Sequence, residues 1–346
     1  MRKSRPHTLV LRFSALGDVA MTIPAIYSVA GANPERDFTV ATTPFFSRLF
    51  INPPANVKIL PVAIRDIKGL RGWSKLFKEL AATGVDSVAD LHNVSRTWAI
   101  DTYFRLRGKR VEMVDKKRSQ RKKALSEKLA QESFVARYVD VFRRLGLKMP
   151  EMHPSANGPE YPPCLPFAGL DLSDRPLTTE FHHPVVGIAP VARYYTKTYP
   201  VDMLEEVIPR LTSKGIEVIL FGGRGEEAAM LGELAARYPG CRSIAGKFAL
   251  EDELRLMQEL DVMVSMDSAN QHLASLVGTR VVTIWGATTP LCGFAPYGQQ
   301  PSDSLLAGVD CQPCSVAGGP ECPRGNLACM RRLSPRTVAE IVAGSL

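Results

Sequence analysis

The sequence predicts an α/β protein built of two Rossmann-like, doubly wound domains that face a central cleft. Three observations lead there. Short β-rich runs alternate with helical stretches from residue 7 onward, the pattern of parallel sheets whose crossovers are helices. The alternation restarts at Pro184 after a Pro-rich break. With 346 residues the chain is too long for one ordinary core, and it suits two domains of about 150 to 180 residues each.

In the first half, a strand over Thr8–Phe13 passes through a loop, Ser14–Asp18, into a helix over Val19–Ala30. A strand over Phe38–Thr42, a helix near Phe45–Phe50 and a strand over Asp86–Leu91, ending in His92-Asn93, continue the series. Pro24 predicts a kink or a late start for the first helix, because proline has no amide to donate and its ring crowds the preceding turn. After Pro150, HPSANGPEYPPCLPF cannot hold regular structure, so the segment 151–183 connects the halves. Within it 166–183 is the linker proper, between an N-terminal domain at 1–165 and a C-terminal domain at 184–346. Strands at Pro184–Ala189, Glu217–Phe221, Val262–Met266 and Arg280–Trp285 build the second half, and a final helix near Ser334–Gly344 is expected to pack back across the halves. Ligands of such sheets bind outside the carboxyl ends of the strands.

Composition narrows the function. Hydrophobic content of 45% with 23% charged residues is that of a soluble globular protein. Forty-three basic against 35 acidic side chains give +8, a surplus that favours an anionic partner without choosing among nucleic acid, a phospholipid surface and a phosphorylated glycolipid. The apolar run near the start is broken by Arg12 and meets Asp18 before a signal peptide could form. No apolar segment reaches 18 residues, so a cytoplasmic protein with at most peripheral membrane contact is expected. Seven cysteines, four of them crowded after residue 310, do not describe a secreted disulfide framework, and reduced thiols are expected. Cys164, Cys241 and Cys292 have no evident partner.

Six stretches carry candidate chemistry. VSMDSANQHLASLVGTRVVTIWGATTP, Val264–Pro290, reads as a strand, a polar turn at Asp267–Gln271, a helix opening at His272 and a second strand closing on Gly286. Such a turn presents unpaired N–H groups and a positive dipole end to an anion, with phosphate the natural guest. Asp267 suits sugar hydroxyls, while Ser268 and the amides of Ala269 and Asn270 suit phosphate. His272 suits phosphate or a packing role. Gly17-Asp18 falls at the first strand-to-helix turn, where Asp18 is either a general base or an ordinary helix cap. Arg193 and Lys197, in Ala192–Pro200 after the first strand of the second half, could meet a diphosphate or simply be solvated. Gly222-Gly223-Arg224-Gly225-Glu226 ends a strand and opens a helix, a weak signal alone since glycine serves any tight turn. The run Arg105–Lys123 holds ten Lys or Arg and two acids, Glu112 and Asp115. It suits an acidic ligand or headgroups, or is a solvated face. Without aromatics inside the run, nucleic acid is not expected. Finally, Cys311-x2-Cys314-x7-Cys322-x6-Cys329 offers four thiols to a structural Zn²⁺, although a second CxxC is missing, and buried reduced thiols are the alternative.

Asp267-Ser268-Ala269-Asn270-Gln271-His272-Leu273-Ala274 resembles the D-[ST]-G-x-x-H-[LI]-A signature of the lipopolysaccharide heptosyltransferases, glycosyltransferase family 9, with Ala269 where the family has Gly. Ordered motifs from Arg12 to Pro335 extend the resemblance: Ser14-x-x-Gly17-Asp18-Val19 with Thr22-Ile23-Pro24, Arg193–Pro200 with Tyr199 as its aromatic, Gly222–Glu226, Gly246-Lys247-Phe248, Gly286–Pro290 and Cys329–Pro335. The resemblance implies the GT-B architecture and an inverting transfer of heptose from ADP-heptose to the inner core of lipopolysaccharide. It implies Asp18 as catalytic base and Lys197 acting electrostatically on the leaving group. Donor contacts would come from Arg193, Glu226 (Glu227 as fallback, at the ribose), Asp267, Ser268, Ala269 and His272, with the Gly246 loop bordering adenine. Arg105, Arg107, Lys109 and Arg110 would meet a phosphorylated or acidic glycolipid acceptor, with peripheral contact to the inner membrane. No metal is implied, as a cation and a helix terminus can replace Mg²⁺. Rival readings are a transferase or epimerase of another nucleotide sugar, a silent nucleotide-sugar sensor, and a nucleic-acid protein with a Cys₄ zinc site. A Cβ at 269 matters if that residue needs φ > 0.

Overall fold

Leu9, Val10 and Leu11 are all fully buried, as a central parallel strand covered on both faces requires. The computed structural model describes residues 5–151, 153–155, 158–161 and 180–346. They divide into two units, one within 5–116 and 134–161, the other within 117–133 and 180–346.

The first unit runs β1 (His7–Leu11), α1 (Leu16–Ala32), β2 (Asp37–Thr42), α2 (Pro44–Ser47), β3 (Val57–Pro61), α3 (Gly69–Ala82), β4 (Ser87–Asp90), α4 (Ser95–Arg105) and β5 (Arg110–Met113). The chain then makes α5 (Arg118–Ser126), which belongs to the second unit, and returns with α6 (Phe134–Arg144) and a hairpin of β6 (His153–Ser155) and β7 (Gly158–Tyr161). The sheet order is β3-β2-β1-β4-β5 and every pair is parallel. Leu9, Leu11, Leu76, Leu80, Ile100 and Phe104 form its core against α3 and α4. Asn33 ties α1 to the chain after α6, donating to Lys148 O and accepting from Lys148 N.

The second unit contains β8 (Val185–Ala189), a 3₁₀ turn at Tyr195–Lys197, α7 (Val201–Thr212), β9 (Glu217–Leu220), α8 (Glu226–Ala236), β10 (Cys241–Ser243) and α9 (Leu250–Gln258). It continues through β11 (Val262–Met266), α10 (Ala269–Leu276), β12 (Arg280–Ile284), β13 (Ser304–Leu305), α11 (Ala328–Arg331) and α12 (Pro335–Ala343). Its sheet, β10-β9-β8-β11-β12-β13, is also parallel throughout. Each sheet reverses winding once, between β1 and β4 and between β8 and β11. A doubly wound sheet opens its ligand crevice at that reversal.

Several expectations change. α1 begins at Leu16, so Asp18 lies in its first turn and the helix continues through Pro24 without a late start. α12 buries Val338, Ala339 and Val342 and packs on α7 of its own unit. Residues 117–133, expected in the N-terminal domain, pack with the second unit: Gln131 N donates to Leu291 O at 2.8 Å, and the Arg121 guanidinium stands over the Phe294 ring. The linker expected at 166–183 lies, up to residue 179, outside the described residues, as does Cys164. No described helix is long and apolar enough to cross a membrane.

Candidate functional site

In the first unit the reversal point gathers the turn after β1 and the turn after β4. Asp18 Oδ2 accepts the Ala15 amide at 3.2 Å and pairs with Arg12 Nη2 at 2.9 Å. Arg12 is 4% exposed, donates to Leu91 O and lies against the Tyr138 ring. The guanidinium therefore fixes Oδ2, while Oδ1 makes no hydrogen bond with the described residues. A carboxylate held by one oxygen and open at the other is suited to take a proton from a hydroxyl.

Ser14 Oγ lies 3.0 Å from His92 Nε2. Burial, with Arg12 and Lys116 adding repulsion, pushes His92 down to about 3, so the ring is neutral. Its turn is built by Asp90, whose Oδ1 accepts from His92 N at 2.8 Å and Asn93 N at 2.9 Å. Near Asp90, Asp101 is fully buried on α4 and pushed up to about 8, first by burial and then by the Asp90 charge; neither of its carboxyl oxygens has a hydrogen-bond partner among the described residues. Asp101 carries the proton that lets two carboxyl groups share one buried site. Beside this turn, at the carboxyl ends of β1, β2 and β3, a hollow of about 390 Å³ is lined by Phe13, Thr43, Phe45, Phe46, Arg65 and Asp66.

The second unit's reversal point places the turn after β8 beside the turn after β11. Lys197 Nζ is 3.1 Å from Asp267 Oδ2, and the two side chains are only 12% and 6% exposed. Asp267 Oδ2 also accepts the Thr288 hydroxyl at 2.6 Å, and Oδ1 accepts Gln271 Nε2 at 3.2 Å. Gln271, fully buried, is held by Thr283 Oγ1 and Phe294 O. A buried ion pair needs such added hydrogen bonds to offset its desolvation. Ser268 caps α10 by position, its Oγ 3.3 Å from Ser265 Oγ. Ala269 is the first residue of α10 and is not among the residues with positive φ, so its Cβ costs nothing where the family has Gly. His272, in the first turn of α10, is buried, with Nε2 3.4 Å from Gln271 Nε2. Arg193 is exposed over the Tyr194 ring.

Gly222 and Gly223, after β9, lie under the Glu227 carboxylate: a Cβ on Gly222 would stand 2.6 Å from Glu227 Oε1. Glu226 is exposed at the start of α8, so Glu227, the fallback, is the residue folded onto the glycine turn. Gly246 meets the same turn, its N donating to Gly222 O at 3.3 Å. Glu253, on the helix that follows, is pushed up to about 7 by burial against the opposing pull of Arg224.

Two expectations meet a different geometry. Arg110 is level with Ser87, and Ser87 with Thr8, at the amino ends of the strands. Arg105, Arg107, Lys109 and Arg110 therefore lie at the end of the sheet opposite Asp18. Arg107 stacks on Tyr103 and Arg110 donates to Arg144 O. Among the described residues no group of three or more His, Cys, Asp or Glu is placed to hold a metal. Of the four thiols proposed for Zn²⁺, Cys329 is part of the hydrophobic core and Cys311 and Cys322 pack against it. Sequence reasoning missed Arg12, Gln271 and Asp101 as members of these clusters. Interior polar residues are a signal only when paired with the neighbour they satisfy.

The profile described as glycosyltransferase family 9 (heptosyltransferase) matches residues 73–323. A lipopolysaccharide heptosyltransferase 3 of Escherichia coli is 25% identical over 293 residues, covering 79% of this chain and 81% of that protein. A lipopolysaccharide heptosyltransferase 2 of Salmonella typhimurium is 29% identical over 126 residues, which span 35% of this chain and 36% of that protein's length. The fold matches the solved structure of E. coli heptosyltransferase WaaC with ADP at a TM-score of 0.67 and 18% identity, over 98% of this chain and 100% of that one.

Proposed function

Because the chain belongs to glycosyltransferase family 9, the heptosyltransferases, we propose that it transfers heptose from ADP-heptose to a hydroxyl of the lipopolysaccharide inner core with inversion. The observation that carries the donor half is the buried Lys197–Asp267 pair at the reversal point of the second sheet. A lysine there is held by Asp267, itself fixed by Thr288 and Gln271, at the mouth of a helix whose first amides can meet phosphate. The comparison structure with ADP bound supports an adenine nucleotide.

In this reading Asp18 Oδ1 takes the proton of the acceptor hydroxyl as its oxygen bonds the anomeric carbon. The bond to the diphosphate breaks on the opposite face, and ADP leaves with the electron pair. Lys197 stabilises the charge that grows on the departing diphosphate, an interaction stronger in the transition state than before it. Arg193 is the second candidate for that charge, and Glu226 or Glu227 for the ribose. The acceptor is assigned to the hollow lined by Phe13, at the carboxyl end of β1 as Asp18 is, rather than to Arg105–Arg110. Its phenyl faces suit the apolar face of a sugar and Arg65 suits a phosphate or carboxylate. Such an acceptor is membrane-borne, so the protein works at the cytoplasmic face of the inner membrane by peripheral contact.

The test is release of ADP from ADP-heptose in the presence of inner-core acceptor, by wild type and Asp18→Asn. The variant should lose about 10² to 10⁴ in kcat while binding ADP as wild type does. Equal turnover by the two proteins contradicts the role given to Asp18.

A further inference from the structure

Lys197 needs two constraints to act as a fixed cation, since a four-carbon stem can bring Nζ to one point from many directions. Asp267 supplies one. The other comes from a turn more than a hundred residues away in sequence. Gly318 has φ +86°, and a Cβ on it would stand 2.9 Å from both Cγ and Cδ of Lys197 and 3.1 Å from Cε. The stem therefore lies on bare backbone. Thr196, the neighbour of Lys197, latches this turn: its Oγ1 donates to Gly319 O at 2.7 Å and accepts from Gly319 N at 2.9 Å. Ser315 closes the turn on itself, its Oγ accepting from Gly318 N at 2.9 Å and donating to Gly318 O at 3.1 Å.

The base of the turn is equally tied. Cys314 N and Ser315 N both donate to Ala287 O, at 2.9 and 3.0 Å, and Ala287 N donates to Thr196 O at 2.9 Å. Thr288, next in the chain, gives its hydroxyl to Asp267. Gly286 permits the approach, because a Cβ there would meet Thr196 O at 2.2 Å. Three segments, Thr196–Lys197, Gly286–Thr288 and Cys314–Gly319, thus close a ring around the lysine. We propose that the Ser315–Gly319 turn is the positioning element of Lys197, with Gly318 deciding where its stem lies. This rests on the reading of Lys197 as the cation opposite the departing diphosphate.

The test compares Gly318→Ala, Lys197→Ala and their double variant with Gly325→Ala in the full chain. Gly325 has the same left-handed backbone, φ +68°, but open space where a Cβ would go, so it controls for strain alone. Misplacing a reacting group by an ångström costs on the order of 10²-fold in rate, so Gly318→Ala should lower kcat for ADP release at least about tenfold with the acceptor KM unchanged. Gly325→Ala should stay within about twofold of wild type. Calorimetric affinity for ADP should fall in Gly318→Ala when Lys197 is present and change less than about twofold in the Lys197→Ala background, the mark of two residues acting through one contact. The inference is overturned if Gly318→Ala matches Gly325→Ala, or if it weakens ADP equally with and without Lys197. Should Gly318→Ala melt at a markedly lower temperature, Ser315→Ala decides. It opens the turn without adding a group at Lys197, and it must lower kcat at unchanged acceptor KM for the inference to stand. A folded wild type that binds no ADP overturns the donor reading itself, and the inference with it.

Discussion

Replacing Asp101 with Asn should make the protein's stability less sensitive to pH, by an amount that follows from the burial of one proton. Asp101 is fully buried against Asp90 and is pushed up from 3.8 to about 8. Below pH 4 the group is protonated in folded and unfolded chains alike and contributes no difference. Between pH 4 and 8 the unfolded chain releases this proton and the folded chain keeps it, so stability falls as pH rises and levels off above 8. The slope is about 1.4 kcal/mol per pH unit, which amounts to roughly 3 kcal/mol between pH 5 and 7. Asp101→Asn is nearly isosteric and cannot ionise, so it keeps the packing and removes the titration. Urea unfolding of both proteins at pH 5, 6 and 7 should show the variant gaining on wild type by about 2 to 3 kcal/mol across that range. A stability difference that stays constant from pH 5 to 7 refutes the shared proton. Because Asp90 builds the His92–Asn93 turn, the wild type should also lose order there at alkaline pH, seen as faster amide exchange at His92 and Asn93.

Two further outcomes follow from the same geometry. His92 has the opposite sign: its folded value near 3 lies below 6.5, so its contribution is present above pH 6.5 and is lost as pH falls toward 3. His92→Gln should therefore weaken acid unfolding by about 1 kcal/mol per pH unit after allowance for partial exposure, read from melting at pH 4.5 and 6.5; identical acid sensitivity contradicts the buried neutral ring. Gly286→Ala places a Cβ 2.2 Å from Thr196 O and 2.5 Å from Met330 Cε. Overpacking against a backbone carbonyl should cost about 1 to 3 kcal/mol, measured by denaturant midpoint, and displace the lysine loop; unchanged stability means the turn relaxes freely.

The two polar clusters were legible in sequence where a turn follows a strand and begins a helix. Asp18, Lys197 and Asp267 all stand at such turns, because the carboxyl end of a parallel strand exposes side chains that the strand interior cannot. Their partners were not legible. Arg12 reads as an interruption in an apolar run, yet it is the buried clamp on Asp18. Gln271 reads as an unremarked signature position, yet it joins Asp267 to Phe294 O and Thr283. Thr196 and Gly319 meet across 123 residues, a separation at which periodicity carries no information. The placement of the basic run was hidden for a related reason: charge density was visible, but which end of β5 carries Arg105–Arg110 depends on strand register. Ala269 raised a doubt that backbone conformation removes, since a helical first residue has no need of glycine.

Calorimetric titration of the 346-residue protein with ADP-heptose, ADP and UDP, alongside Lys197→Ala, tests the donor site most directly. Both adenine ligands should bind and UDP should not, and loss of Lys197 should weaken ADP by about tenfold or more, as expected for a buried charge-assisted contact. A folded protein that binds none of the three nucleotides, or binds ADP equally well without Lys197, contradicts the donor site.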